Sequence, residues 1–257
     1  MLDFQASLIF PTHAVGAAGP LPADAERLSV ATADGNELRG IYIPADEPDP
    51  SRTLILGLGG NAWNGQDVAE YLHELYPEHD VIAFHYRGYK PSTGRPSAEA
   101  LIDDAPLVYD GAVDRMEPAR VIAVGFSIGT GIAAQLSAKR ELAGLILVTP
   151  FDSLKAVAQS MYPWLPIGIF FEHEINAAAP LAKSRIPVAI IAAEHDEIVA
   201  RERTDALRKR IPNLAYDRTI AGAGHNDIYA RSEFHEAMRA ALDAVAGNQT
   251  APNPGTR

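Results

Sequence analysis

Three residues, Ser127, Asp196 and His225, set the chemistry this sequence could perform, and they occur in that order along the chain. A serine hydroxyl is a weak nucleophile until a base removes its proton. An imidazole can take that proton and later return it to a leaving group. A carboxylate can hold the imidazole in one tautomer and stabilise its cation. Ser127 lies in Gly125-Phe-Ser-Ile-Gly129, a match to G-x-S-x-G. Before it stands the short β-branched run Arg120–Val124, and after it the Ala-rich stretch Ile128–Lys139 with apolar residues at helical spacing. That context reads as strand, sharp turn, helix, which pushes the serine hydroxyl clear of the sheet. A Cβ at either glycine would clash with neighbouring backbone. The N-terminus of the helix adds free N–H groups and a positive dipole end beside the hydroxyl.

Each of these signals has a plainer reading when taken alone. G-x-S-x-G can be an ordinary Gly-rich turn, Gly-Ala-Gly-His225 a loop, and His195-Asp-Glu197 a solvated turn after a strand. The three together, each following its own apolar run, favour nucleophilic catalysis. Asp152, just past another strand, is the rival for the acid. Oxyanion donors are expected from two backbone N–H groups, those of Ile128 and of Asn61 in the turn after Gly59-Gly60, with Ala62 as the alternative to Asn61. Trp63, Phe126, Tyr162 and Trp164 are the candidate pocket-lining residues. No three-ligand zinc spacing occurs around His173 or His195, and neither a P-loop nor a dinucleotide fingerprint is present, so no metal or cofactor is expected.

The elements needed to position these groups follow from the apolar pattern. Glu26–Thr32 and Glu37–Ile43 flank Asp34-Gly35-Asn36, a hairpin signal. Further strands are expected at Thr53–Leu58, Asp80–Tyr86, Arg120–Val124, Ala143–Thr149, Ile186–Ala192 and Leu214–Ile220. Helices are expected between them: Gln66–Tyr76 capped by Asn64, one capped by Asp103 or Asp104 with Pro106 in its first turn, Arg201–Ile211, and Asp227–Val245 capped by Asp227. The alternation predicts an α/β fold: a doubly wound, mostly parallel eight-stranded sheet in a single domain over residues 1–257. Residues 1–25 read as an extended arm lying on that domain, and 247–257 as a disordered tail. Residues 152–185 are longer than a plain crossover requires. Their aromatic run from Met161 to Phe171 reads either as a short lid over an acyl pocket or as ordinary core.

Composition narrows the partners. The net charge of −11 disfavours duplex nucleic acid and anionic membrane surfaces. Cysteine is absent, which rules out thiolate catalysis and disulfides. No run reaches the ~18–20 apolar residues of a membrane span, and the N-terminus does not read as a signal peptide. A cytoplasmic protein acting on a small-molecule acyl substrate is the expectation.

The combination of segments resembles the α/β-hydrolase-fold serine hydrolases, and within them the branch that contains protein depalmitoylases and uncharacterised microbial relatives. The likeness is carried by Gly59-Gly-Asn-Ala-Trp-Asn64, Tyr86-Arg-Gly-Tyr-Lys-Pro-Ser-Thr-Gly94, Gly125-Phe-Ser-Ile-Gly129, Pro150-Phe-Asp-Ser-Leu154 and Gly224-His-Asn-Asp227, and it spans about residues 26–245. Gly59 stands where that branch usually has His, and Lys90 where it usually has Gly. The N-terminal membrane helix common in the branch is not expected here, which makes membrane-bound acyl-protein substrates a weak carry-over. The resemblance implies cleavage of a carboxylic ester or thioester through an acyl-enzyme. The alternatives are a small-peptide serine peptidase or a non-catalytic ligand-binding member of the fold.

Overall fold

The computed structural model describes residues 2–47, 50–162 and 171–247. The strands are β1 (Glu26–Ala31), β2 (Glu37–Ile43), β3 (Thr53–Leu58), β4 (Asp80–Phe84), β5 (Arg120–Phe126), β6 (Gly144–Val148), β7 (Val188–Ala193) and β8 (Leu214–Ile220). They form one eight-stranded sheet in the order β1-β2-β4-β3-β5-β6-β7-β8. The hairpin β1–β2 is antiparallel and joins β4 antiparallel, while β4, β3, β5, β6, β7 and β8 run parallel. Every residue of β3, β6 and β7 is buried, as expected for strands covered on both faces. Edge strand β8 is exposed or partly buried up to Thr219, and only its last residue, Ile220, is buried.

Helices are α1 (Leu2–Ile9), α2 (Gly65–Leu75), α3 (Ala98–Met116), α4 (Ile128–Ser137), α5 (Leu154–Met161), α6 (Ala178–Leu181), α7 (Arg201–Arg208) and α8 (Ser232–Ala246). Alternate strand residues feed two cores. Leu54, Leu56 and Ala123 pack with α3 and α4 residues such as Leu101 and Ile132. Ile55, Ile122 and Val124 pack with α2 and α8 residues such as Leu72 and Met238. The sheet is thus the middle layer of three.

Local detail departs from the sequence expectations in three places. The N-terminal arm is not extended throughout, because it opens with helix α1. Phe10, 2% exposed, anchors it and meets the His173 ring edge-on at 5.5 Å. Helix α3 begins at Ala98, not after Asp103 or Asp104, with the Ser97 hydroxyl accepting from Ala100 N at 3.0 Å. Pro106 therefore sits inside the helix. The carbonyl of Ile102, which Pro106 cannot serve, takes the Lys139 ammonium at 3.4 Å. Asp104 turns inward to Arg87, at 2.9 and 2.5 Å. Lastly, Asp227 does not cap the last helix, which starts at Ser232. Its carboxylate accepts from Gly224 N at 2.8 Å and pairs with Arg231 at 3.1 Å. Asn64 does cap α2, accepting from Asp67 N at 2.9 Å.

Candidate active site

The turn between β5 and α4 carries Ser127 at φ 50°, ψ −114°, a left-handed region that a serine occupies only under constraint. Three hydrogen bonds to its backbone, one of them from a side chain, hold it there. Ser127 N donates to Val148 O at 2.9 Å, and Ser127 O accepts from the Thr130 N–H at 2.9 Å and the Thr130 hydroxyl at 2.6 Å. The flanking glycines make the turn sterically feasible. A Cβ on Gly129 would lie 2.1 Å from Leu58 O, and one on Gly125 2.6 Å from Gly129 O.

The loops after β7 and β8 bring the acid and the base to this hydroxyl. Ser127 Oγ is 3.0 Å from His225 Nε2. His225 Nδ1 lies 2.8 and 2.9 Å from the two Asp196 oxygens. A carboxylate can only accept, so Nδ1 carries the proton and Nε2 is left to accept from the serine hydroxyl. Asp196 Oδ1 also accepts from the N–H groups of Ile198 at 2.9 Å and Val199 at 2.7 Å. The His225 and Asp196 side chains are 6% and 7% exposed, so this pairing is shielded from water. Asp152, the rival carboxylate, pairs instead with Arg203 at 3.4 Å. An alcohol, an imidazole and a carboxylate linked in this sequence can move a proton off the hydroxyl while the cation formed is stabilised.

A second wall comes from the loop after β3. Trp63 N donates to Gly60 O at 3.3 Å, closing a turn over Asn61 and Ala62. Gly60 approaches the nucleophile closely: a Cβ there would be 3.8 Å from Ser127 Cβ. Two tyrosines fix this turn, with Tyr86 donating to Gly59 O at 2.8 Å and Tyr89 to Asn61 O at 2.7 Å. Burial pushes both phenols well above their ordinary pKa, so both remain donors. Sequence reasoning gave these tyrosines no task. The signal was their place in Tyr86-Arg-Gly-Tyr89, beside the very loop they support.

Among the candidate pocket residues, Trp63 is half-buried, its ring 5.1 Å from Phe126, 5.5 Å from Tyr71 and 5.4 Å from Tyr229. Phe126 does not line a pocket. It is 0% exposed, because its side chain points into the core beneath the turn. Tyr162, 38% exposed, ends α5, and Trp164 lies outside the described residues. Tyr229, whose phenol is raised by burial, was missed in the sequence. It packs Trp63 against the loop that holds His225.

A family model described as alpha/beta hydrolase fold matches residues 54–168. An uncharacterized protein of Mycobacterium tuberculosis is 32% identical over 221 residues, covering 82% of this chain and 78% of that protein. The chain belongs to the alpha/beta hydrolase family. Alpha/beta hydrolase domain-containing protein 17B of Xenopus tropicalis is 28% identical over 211 residues, 81% of this chain and 72% of that one. Among solved structures, an esterase of Pyrococcus furiosus superposes with a TM-score of 0.71 at 19% identity, covering 89% of this chain and 94% of that one. An alpha-beta hydrolase of Vibrio vulnificus gives 0.72 at 18% identity, over 96% and 93%. At such identities the superpositions show the fold alone. Fold and relatives together support a hydrolase. Among the described residues, no helix is long and apolar enough to cross a membrane.

Proposed function

We propose that this member of the family is a serine hydrolase that cleaves a carboxylic ester or thioester through an acyl-enzyme, without a cofactor. The observation that carries the reading is the hydrogen-bonded line from Asp196 through His225 to Ser127, with the serine held at φ 50° on the N-terminus of a helix. In the proposed reaction Ser127 Oγ attacks the acyl carbon as its proton passes to His225 Nε2. Asp196 stabilises the imidazolium, which then protonates the departing alcohol or thiol. A water deprotonated by His225 then attacks the acyl-serine, and the imidazolium returns that proton to Ser127 Oγ as the acid leaves.

The negative charge on the tetrahedral oxygen needs donors that are already in place. The N–H groups of Ile128 and Asn61 are suited to this. Ile128 is the first residue of α4, so its N–H has no partner within the helix. Asn61 sits in the turn that Tyr89 pins beside Ser127. The relatives described as alpha/beta hydrolase domain-containing proteins support hydrolysis as the reaction type. The lid expected over residues 152–185 falls partly outside the described residues; of the described part, Tyr162 at the end of α5 is exposed and would stand at the edge of the acyl side. A panel of p-nitrophenyl esters of increasing acyl length, acyl thioesters and peptide p-nitroanilides tests the reading. Turnover of an ester or thioester that disappears in Ser127→Ala is expected. Turnover of peptides alone would transfer the site to a peptidase, and turnover retained in Ser127→Ala would remove the serine from the reaction.

A further inference from the structure

Two loops meet at His225, and they are laced more tightly than a carboxylate–imidazole contact requires. Backbone bonds run from Glu194 N to Ile220 O at 3.1 Å and from His195 N to Ala223 O at 2.8 Å. Two carboxylates of the acid loop reach across as well. Glu194 Oε2 accepts the Gly222 N–H at 2.8 Å, and Glu197 Oε2 accepts the N–H of His225 itself at 3.0 Å. Adjacent residues thus grip one histidine from two sides, Asp196 on the ring and Glu197 on the backbone. Gly224 makes room for the second grip, since a Cβ on it would lie 2.9 Å from Glu197 Oε2.

We propose that Glu197 is a positioning residue for the reaction of Ser127, acting through the main chain of His225. The inference rests on the acyl-enzyme reading. An imidazole pivots about its own Cα, so Asp196 alone fixes one ring atom and leaves the backbone free to shift. A displacement of a few tenths of an ångström at Cα is carried to Nε2, where the 3.0 Å contact with Ser127 Oγ is made. Reaction rates are sensitive to errors of that size. A hydrogen bond to a charged acceptor is strong enough to hold the main chain in place. Glu197 is exposed and has no path to the acyl carbon except through His225, so its removal should act on turnover and not on binding.

The test uses the full-length protein with the ester it turns over best. Glu197→Ala is expected to lower kcat about tenfold, with KM within about twofold and a thermal midpoint lowered by only about 2–4 °C. Glu197→Gln, which retains an amide oxygen for the His225 N–H, should recover to within about threefold of wild type. Gly224→Ala should displace the carboxylate and reproduce most of the loss, and combined with Glu197→Ala it should add nothing further. Glu194→Ala, whose bond ends at Gly222, should cost less than about threefold. An NMR signature runs in parallel and needs no turnover. The downfield Nδ1 proton of His225 should be sharp in wild type and Glu197→Gln and broadened by exchange in Glu197→Ala. Full kcat in Glu197→Ala, a Gln variant as impaired as the Ala variant, or multiplying losses in the double variant would overturn the proposal. If wild type shows no Ser127-dependent turnover, the hydrolase reading fails by itself, and an Nδ1 proton equally sharp in Glu197→Ala would overturn the role of Glu197 separately.

Discussion

Each end of the sheet holds two non-glycine residues in the left-handed region, and they are there for different reasons. At the amino end of β3 and β5 stand Arg52 at φ 46° and Glu117 at φ 44°. Both are exposed. Glu117 is the left-handed C-cap of α3, a position that glycine usually fills. The Arg52 guanidinium donates to Glu117 O, tying the two turns together. At the carboxyl end stand Ser127 at φ 50° and Thr149 at φ 49°. Thr149 is fully buried and β-branched, so its conformation is a true outlier. These two are joined through Val148, whose carbonyl accepts from Ser127 N at 2.9 Å and from the Thr149 hydroxyl at 2.8 Å. The backbone cost, about 1–3 kcal/mol per residue, is similar at both ends. The amino end could shed it by mutating to glycine. At position 127 the strain is tied to a side chain that glycine lacks.

The largest effect expected lies at the carboxyl end. Asp196→Asn should lower kcat/KM by roughly 10³–10⁴-fold, because an amide no longer fixes the imidazole tautomer. Asp152→Asn should stay within about threefold, since Asp152 faces Arg203. Ester hydrolysis by the two purified variants distinguishes these outcomes, and reversal of the pattern would put the acid on the wrong strand. Next in size is Gly129→Ala, whose methyl would fall 2.1 Å from Leu58 O. Backbone on both sides leaves little room for relief, so a loss of about 3 kcal/mol or more is expected, read from urea unfolding.

A smaller effect is set by pH. Burial holds the His85 imidazole at about 4, against an unfolded value near 6.5. Here its Nδ1 accepts the Gly65 N–H at 3.2 Å. The folded pKa is depressed, so this contribution is complete above about pH 6.5 and is lost as the pH falls towards 4. The urea midpoint should drop between pH 7 and pH 5, and less steeply in His85→Asn. Smallest of all is Glu117→Gly at the amino end. Its unfolding free energy should change by no more than ~1 kcal/mol and its kcat should not change. A kcat loss there would erase the contrast between the two ends.

How much of this was legible in the sequence depended on how local the cause was. The apolar runs of β3, β6 and β7 are buried on both faces whatever lies around them, so their places were readable. The hairpin at Asp34-Gly35-Asn36 was readable too, because Gly35 at φ 81° obeys a local rule. Asn64 capped as expected for the same reason. Helix α3 was misplaced because Pro106 reads as a first-turn residue, and the group that makes it tolerable, Lys139, comes from another helix. Asp227 has the right composition for a cap, but Gly224 and Arg231 compete for its carboxylate. Helix α1 has only eight residues and owes its docking to Phe10, a contact no local pattern announces. In the candidate site, the order of serine, aspartate and histidine was visible because each follows an apolar run. Glu197 was not, because its effect depends on a turn 28 residues further along the chain. Tyr86 and Tyr89 were visible only as part of a resemblance, without their task.

The most direct measurement is labelling with a fluorophosphonate, which reacts with a serine only where a base and oxyanion donors activate it. Folded wild-type protein should take up one equivalent on Ser127, located by peptide mass spectrometry, and Ser127→Ala and His225→Ala should take up none. Folded wild-type protein that stays unlabelled, or that is labelled elsewhere than at Ser127, would contradict an activated serine at the β5–α4 turn.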